Sequence, residues 1–327
     1  MKTKLYPLKF EPLMKYRVWG GDKIGTYLNK DIKGENRVGE SWEISDIEGD
    51  VSLVSNGFLK GNSLTELIEV YMGDLVGDRV FDKFGHSFPL LIKFLDAREP
   101  LSIQVHPNDE LAAKRHNSFG KTEMWYVLQA EKDAYLINGF SEEVTPEEFQ
   151  QHVKNDTVES ILAKHPVKEG DVFYIPAGRV HAIGAGIVIA EIQQTSDVTY
   201  RIYDFNRLEK DGKPRELHLQ QAMDAIDYKL YDNFKTNYSP KNNGSVEVLK
   251  TPYFATTLLS GTSKLVRDYY SLDSCVILIG TKGDAEIHYD GGVETLKFGE
   301  TILLPAELRQ VEIVPKGEVK ILEIHIP

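Results

Sequence analysis

Gln104 and His106 stand two residues apart, and the residues that alternate with them, Ile103 and Val105, are apolar. Side chains two apart on a β-strand share a face. An amide and an imidazole are therefore predicted side by side. Glu123 lies in a second strand-like run, 122–128, and can add a carboxylate. His181 closes the turn sequence Pro176-Ala177-Gly178-Arg179-Val180 and can add a second imidazole. Two imidazoles, a carboxylate and a neutral oxygen suit a borderline divalent ion, with zinc the first expectation. Catalytic zinc takes few protein ligands and keeps one position open. The same donors also suit iron, cobalt or manganese. The plain alternative is a set of unrelated polar residues on half-exposed strands.

Other residues carry possible chemistry. Lys93 interrupts the apolar run 90–95, which implies either a buried ion pair or a ligand contact. Glu191 ends the apolar run 186–190. Desolvation there would raise its pKa and suit proton transfer, while a strand-end salt bridge is the structural alternative. Lys121 shares a face with Glu123 if the strand has begun by then, and can donate to a ligand oxygen or a phosphate. In the run 197–204, alternation sets Thr199, Arg201 and Tyr203 on one face. The Arg201 fork can grip a phosphate or a developing oxyanion. On the residues alone, a salt bridge to Asp197 or Asp204 competes with that role. Trp19, Trp42 and Trp125 can line a ligand site, with core packing as the default. The remaining histidines lack ligand-like company, and Cys275 reads as a buried strand residue.

Short strand-like runs must position these groups. They recur at 42–45, 89–95, 101–105, 123–128, 133–137, 171–175 and 186–192, a spacing that predicts a β-sandwich or barrel. Helices are fewer: 63–71 opens on a capping box, 108–116 on Asn108 or Asp109, and 145–149 on a cap, a proline and two acids. A further helix is expected at 158–164. The turn-rich polar stretch 231–245 reads as a hinge, and the chain after it as nearly all strand. The halves also share a phrase. Residues 169–177 and 298–306 both read glycine, acid, four strand residues, proline, alanine. Duplication of a β-domain explains this at least as well as chance. Only the first copy leads to a histidine, so one metal site is expected. The division read from the sequence is 1–232, a metal-binding domain with helical insertions, and 245–327, a related domain without metal ligands.

Composition bounds the function. The 327 residues are 41% hydrophobic and 27% charged, with a formal charge of -12, which argues against nonspecific binding to nucleic acid or anionic membrane. A few local cations can still hold one phosphate. One cysteine allows no internal disulfide. The N-terminus lacks an apolar leader, and a cytoplasmic protein is expected, a monomer or a weak homo-oligomer acting on a small molecule.

The second metal phrase, Gly170-Asp171 through Pro176-Ala177-Gly178 to His181, resembles the cupin superfamily. Within it the chain is similar to the type I mannose-6-phosphate isomerases in their short bacterial form. Five phrases carry the likeness in order: 16–21, 39–43, 101–107, 121–125 and 193–204. The resemblance implies two cupin-type jelly-roll barrels in a mainly β chain. It implies one zinc per chain, held by His106, Glu123 and His181 with Gln104 as a further ligand. Arg201 would be the active-site arginine, with Lys93, Lys121 and Glu191 lining the same pocket. Trp19 and Tyr203 are expected to bind substrate beside Lys93. The implied reaction is aldose–ketose isomerisation of mannose 6-phosphate and fructose 6-phosphate. A metal-dependent isomerase of another sugar, or a non-catalytic sugar-binding cupin, is the alternative. Ile183 stands where larger relatives carry an aromatic residue, and their longer helical insert has little room here.

Overall fold

The computed structural model describes residues 4–209 and 211–327, and its architecture is mainly β. Packing divides the chain into two compact units. One gathers Met14–Trp42 and Leu91–Thr236. The other gathers the stretch up to Leu13, Glu43–Leu90 and Asn237–Pro327.

The first unit is built on β1 (Leu13–Gly21), β2 (Val38–Ile44), β3 (Leu90–Ala97), β4 (Ile103–Val105), β5 (Glu123–Ala130), β6 (Tyr135–Phe140), β7 (Leu162–Pro166), β8 (Val172–Ile175), β9 (His181–Ile183), β10 (Ile187–Gln194) and β11 (Tyr200–Tyr203). They form one sheet in the order β1-β2-β3-β10-β5-β8 and a second in the order β11-β4-β9-β6-β7. The facing sides share a core: Trp19, Leu95, Trp125, Val127, Phe173 and Ile189 of the first sheet meet Leu136 and Ile183 of the second. On the far side of the second sheet, Ile103, Val105, Tyr200 and Ile202 pack with Phe149 and Ala222. Those two residues belong to helices Pro146–Lys154 and Leu219–Ala225. Strands covered on both faces need continuous apolar runs, which is why β3 and β10 are so apolar and why a lysine or glutamate in them stands out.

Local signals act as expected at the helix starts. Asn108 caps Asp109–His116, its side chain accepting from Leu111 N at 2.9 Å. Thr145 and Glu148 form a reciprocal capping box. The expected helix at 158–164 is corrected. A single 3₁₀ turn spans Val158–Ile161, and the chain then extends into β7, which pairs with β6. Thr157 makes no side-chain cap there, and the ladder to β6 captures the backbone that a longer helix would use.

The second unit contains β12 (Gly244–Lys250), β13 (Ala255–Gly261), β14 (Leu265–Asp268), β15 (Val276–Lys282), β16 (Ala285–Tyr289), β17 (Gly292–Leu296), β18 (Thr301–Leu304), β19 (Gln310–Pro315) and β20 (Val319–His325). The sheets run β12-β13-β20-β15-β18 and β14-β19-β16-β17, with Leu278, Ile287, Ile302, Ile313 and Ile321 in a shared core. The repeated phrase has the same local structure in both units. Gly170 and Gly299 sit at φ 85° and 78°, left-handed backbone that a side chain would strain, and each introduces an edge strand, β8 or β18.

Candidate active site

The chemistry-bearing side chains lie on the two sheet faces of the first unit. On β5, Glu123 and Trp125 share a face, and the register of neighbouring β10 sets Gln193 beside Glu123 and Glu191 beside Trp125. In the facing sheet, Gln104 of β4 stands between His181 of β9 and Arg201 of β11. His106 follows β4 directly.

The histidines, Glu123 and Gln104 converge. One ligand atom from each of His106, Glu123 and His181 lies within 4.8 Å of the others, and all three residues are buried. His106 Nδ1 donates to the Val198 carbonyl at 3.0 Å, and His181 Nδ1 donates to the Arg179 carbonyl at 2.8 Å. With those protons placed, each Nε2 turns a lone pair inward. Burial, with the Lys121 charge next, pulls His106 down to about 3, and burial also lowers His181. Both rings are therefore neutral. His106 Nε2 lies 3.2 Å from Glu123 Oε1, and neither atom has a hydrogen-bond partner. Two acceptors face each other with no proton between them, and the Lys121 ammonium lies 3.2 Å away on the Glu123 side alone, an arrangement that a cation between the two resolves. The Gln104 amide joins them through its nitrogen, 3.3 Å from His181 Nε2, while its oxygen accepts from Ser102 Oγ at 3.4 Å. The donor set fits a divalent metal ion.

Beside this centre a cleft of about 390 Å³ is lined by Trp19, Lys93, Gln104, Lys121, Glu191 and Arg201, among others. Lys121 Nζ is 3.2 Å from Glu123 Oε1. Burial works to lower the Lys121 pKa, but the charges of Glu123 and Glu191 outweigh it and raise it. Lys93 donates to Gln193 Oε1 at 2.7 Å and pairs with Glu191 Oε2 at 3.2 Å. Trp125 Nε1 bridges Glu191 and Glu123, at 2.8 and 3.1 Å. Burial, with the Glu123 charge next, pushes Glu191 up to about 7.

Lys93, Lys121, Glu191, Arg201 and Trp19 thus line one cleft, and Gln104 reaches both it and the cluster of His106, Glu123 and His181. Arg201 forms neither of the ion pairs open to it in the sequence, because Asp204 is taken by Arg207 and Arg215. Tyr203 is the correction. Between Arg201 and Tyr203 the register slips, so Arg201 opposes Gln104 while Tyr203 opposes Ile103, a residue of the far-side core. Tyr203 packs there, edge to face with Phe205 at 5.2 Å, rather than lining the cleft.

Sequence reasoning missed Arg17, Glu40 and Arg215, which line the cleft, and Gln193, which anchors Lys93. Arg17 Nε donates to Glu40 Oε1 at 2.7 Å, and Trp42 Nε1 donates to Oε2 at 2.6 Å. Burial opposes ionisation of Glu40, but the charges of Arg17 and Lys93 outweigh it and bring it to about 2. The available signal was alternation in β2, which sets Glu40 and Trp42 on one face.

Known proteins resemble this chain along its length. The family model for the phosphomannose isomerase type I catalytic domain matches residues 8–145. The mannose-6-phosphate isomerase ManA of Bacillus subtilis is 36% identical over 315 residues, covering 94% of this chain and 95% of that protein. The mannose-6-phosphate isomerase of Streptococcus mutans is 35% identical over 317 residues, covering 89% and 97%. A crystal structure of the Bacillus subtilis mannose 6-phosphate isomerase superimposes with a TM-score of 0.89 at 30% identity, over 98% of this chain and 100% of that one.

Proposed function

We infer the reaction from one premise: this chain belongs to the type I phosphomannose isomerases. It is an aldose–ketose isomerase that interconverts mannose 6-phosphate and fructose 6-phosphate. The observation that carries the chemistry is the pair of facing acceptors His106 Nε2 and Glu123 Oε1, 3.2 Å apart, beside a cleft holding buried lysines and a near-neutral carboxyl.

Isomerisation moves a proton between C1 and C2 of the open-chain sugar. His106, Glu123, His181 and Gln104 hold the metal in this reading, with zinc as the ion and one ion per chain. Lewis acidity toward the oxygens on C1 and C2 is what such an ion supplies when bound. Glu191 is the proton carrier, since a carboxyl at about 7 both accepts and releases a proton near neutral pH. Its carboxylate takes the C2 proton of mannose 6-phosphate, and the C2–H electron pair becomes the C1=C2 bond of an enediolate. The proton returns to C1 from Glu191, while the C2 hydroxyl proton passes to the oxygen on C1. Lys121, kept cationic by Glu123 and Glu191, donates to the sugar oxygens. Arg201 faces the negative charge that develops on the enediolate. Lys93 holds Glu191 in place and, with Trp19, contacts the sugar.

The same reading makes the unit of Met14–Trp42 and Leu91–Thr236 the metal-binding cupin domain and the unit that carries 245–327 a cupin-like domain without ligands, each a jelly-roll barrel; the segments up to Leu13 and Glu43–Leu90, expected within a first domain of 1–232, pack with the second unit. It places the enzyme in the cytoplasm as a monomer or weak homo-oligomer. Among the described residues, no helix is long and apolar enough to cross a membrane. The test is a coupled assay of metal-loaded enzyme with both sugar phosphates, beside metal analysis. Turnover, one zinc per chain and loss of activity on chelation are expected. No turnover of either sugar phosphate by loaded protein would sink the reading.

A further inference from the structure

The cations along the cleft differ in how they are held. Arg17 is held by Glu40, Lys93 by Glu191 and Lys121 by Glu123. Arg201 has no carboxylate partner among the described residues. Its Nη1 donates to the Glu216 carbonyl at 2.7 Å, and its buried Nε has no acceptor. Arg215 lines the same cleft. Asp204 accepts from Arg215 Nε at 2.8 Å and Nη2 at 2.5 Å, and from Arg207 Nη2 at 2.5 Å. One carboxylate is therefore shared by two guanidiniums. Glu209, half exposed, reaches only to 3.7 Å of Arg215 Nε. Burial and then the Arg215 charge lower the pKa of Arg201, so the two cations feel each other. Arg201 and Arg215 thus line the cleft together, with Asp197 and Glu209 as the lining carboxylates near them, and neither carboxylate pairs closely with Arg201.

Local structure fixes the place of Arg215. Arg207 Nη1 ties to the Pro100 carbonyl, and Leu208 bridges Pro214 in a tight return. His218 N donates to the Arg201 carbonyl at 2.7 Å, which brings the loop back onto β11. Asp204 engages Nε and Nη2 of Arg215, which leaves the Nη1 donors for a ligand. A guanidinium aimed by a carboxylate, next to an unpaired one, suits a phosphate monoester.

We propose that Arg215, aimed by Asp204 as its positioning residue, reads the 6-phosphate of the substrate. The proposal rests on the isomerase reading: with C1 and C2 at the metal centre, the phosphate on C6 must bind elsewhere along the cleft. Arg215 lines the cleft beside Arg201, whose guanidinium meets a backbone carbonyl and no acceptor at Nε.

The test uses metal-loaded enzyme carrying Arg215→Gln, Arg215→Lys or Asp204→Asn, with folding checked by thermal melting. KM and kcat are measured with mannose 6-phosphate, and inorganic phosphate is titrated calorimetrically. Arg215→Gln is expected to raise KM and weaken phosphate binding by about 10–100-fold, the scale of a lost charge-assisted hydrogen bond, with a smaller change in kcat. Arg215→Lys keeps the charge and recovers part of both. Asp204→Asn shifts KM the same way with bound metal unchanged. Phosphate affinity and KM unmoved by Arg215→Gln, or a loss confined to kcat, overturns the proposal. If wild type turns over neither sugar phosphate yet loses phosphate binding on Arg215→Gln, the isomerase reading fails and the anion subsite stands.

Discussion

Glu191 and Glu40 are buried carboxylates in one cleft, yet their surroundings drive them apart. Glu40 faces Arg17, Lys93 and the Trp42 N–H and sits at about 2, a fixed anion. Glu191 shares Lys93 but lies within the field of Glu123, and burial leaves it at about 7. Two carboxyls pushed apart in this way divide structural and proton-carrying roles. Glu191→Gln keeps the shape of the site and one acceptor oxygen while removing the proton carrier. Its kcat is expected to fall by about 10²–10⁴-fold, the range for a general base, with bound metal unchanged by elemental analysis. A loss of metal in parallel with activity would make Glu191 a support of the centre instead. Tyr203 supplies the opposite expectation. Its ring lies in the far-side core, so Tyr203→Phe should change kcat and KM by less than about twofold, a size typical of a substitution that leaves no buried group unpaired.

At the scale of elements, what was legible in the sequence is what a single strand or turn encodes. Gln104 and His106 were legible because alternation decides their face. His181 was legible because the glycine turn before β9 has a recognisable form. Lys93 and Glu191 were legible as polar interruptions in strands covered on both sides. Tyr203 was not, because a register slip depends on the partner strand and leaves no mark in the alternation of β11 itself. The helix expected at 158–164 failed similarly, since pairing with β6 overrides local preference. Arg17 and Glu40 were hidden because their pairing joins two strands separated by a long loop. That pairing depends on close approach of β1 and β2. A Cβ at Gly39 would lie 2.6 Å from Arg17 Cβ and 2.7 Å from Trp19 Cζ3. Gly39→Ala must therefore push both cleft residues aside. A loss of about 1–3 kcal/mol in chemical denaturation is expected, as for overpacking elsewhere, together with a raised KM. Unchanged stability would mean that β1 and β2 separate at no cost.

For the whole molecule, a formal charge of -12 makes the behaviour of buried carboxylates the main lever on stability with pH. The two extremes act in opposite senses. Glu40, depressed to about 2, stabilises the fold fully above its unfolded pKa and loses that contribution progressively as pH falls from there through about 2. Asp96 is 1% exposed, and burial, opposed by the Lys23 N–H that donates to its Oδ2 at 2.7 Å, raises it to about 6. A raised carboxyl pKa means that the folded state binds the proton more tightly than the unfolded one. Asp96 therefore favours folding below about 4, and stability falls as pH rises from its unfolded value to about 6. Above that the cost of a buried carboxylate is constant. Asp96→Asn removes the charge and keeps an oxygen to accept from Lys23. The variant should exceed wild type at pH 7.5 by about 1–3 kcal/mol in urea denaturation, with the gap closing toward pH 4.5. Metal lost at acid pH affects both proteins alike, so their difference isolates Asp96. An equal gap at both pH values would show that Asp96 is already neutral at pH 7.5 or that its charge is solvated.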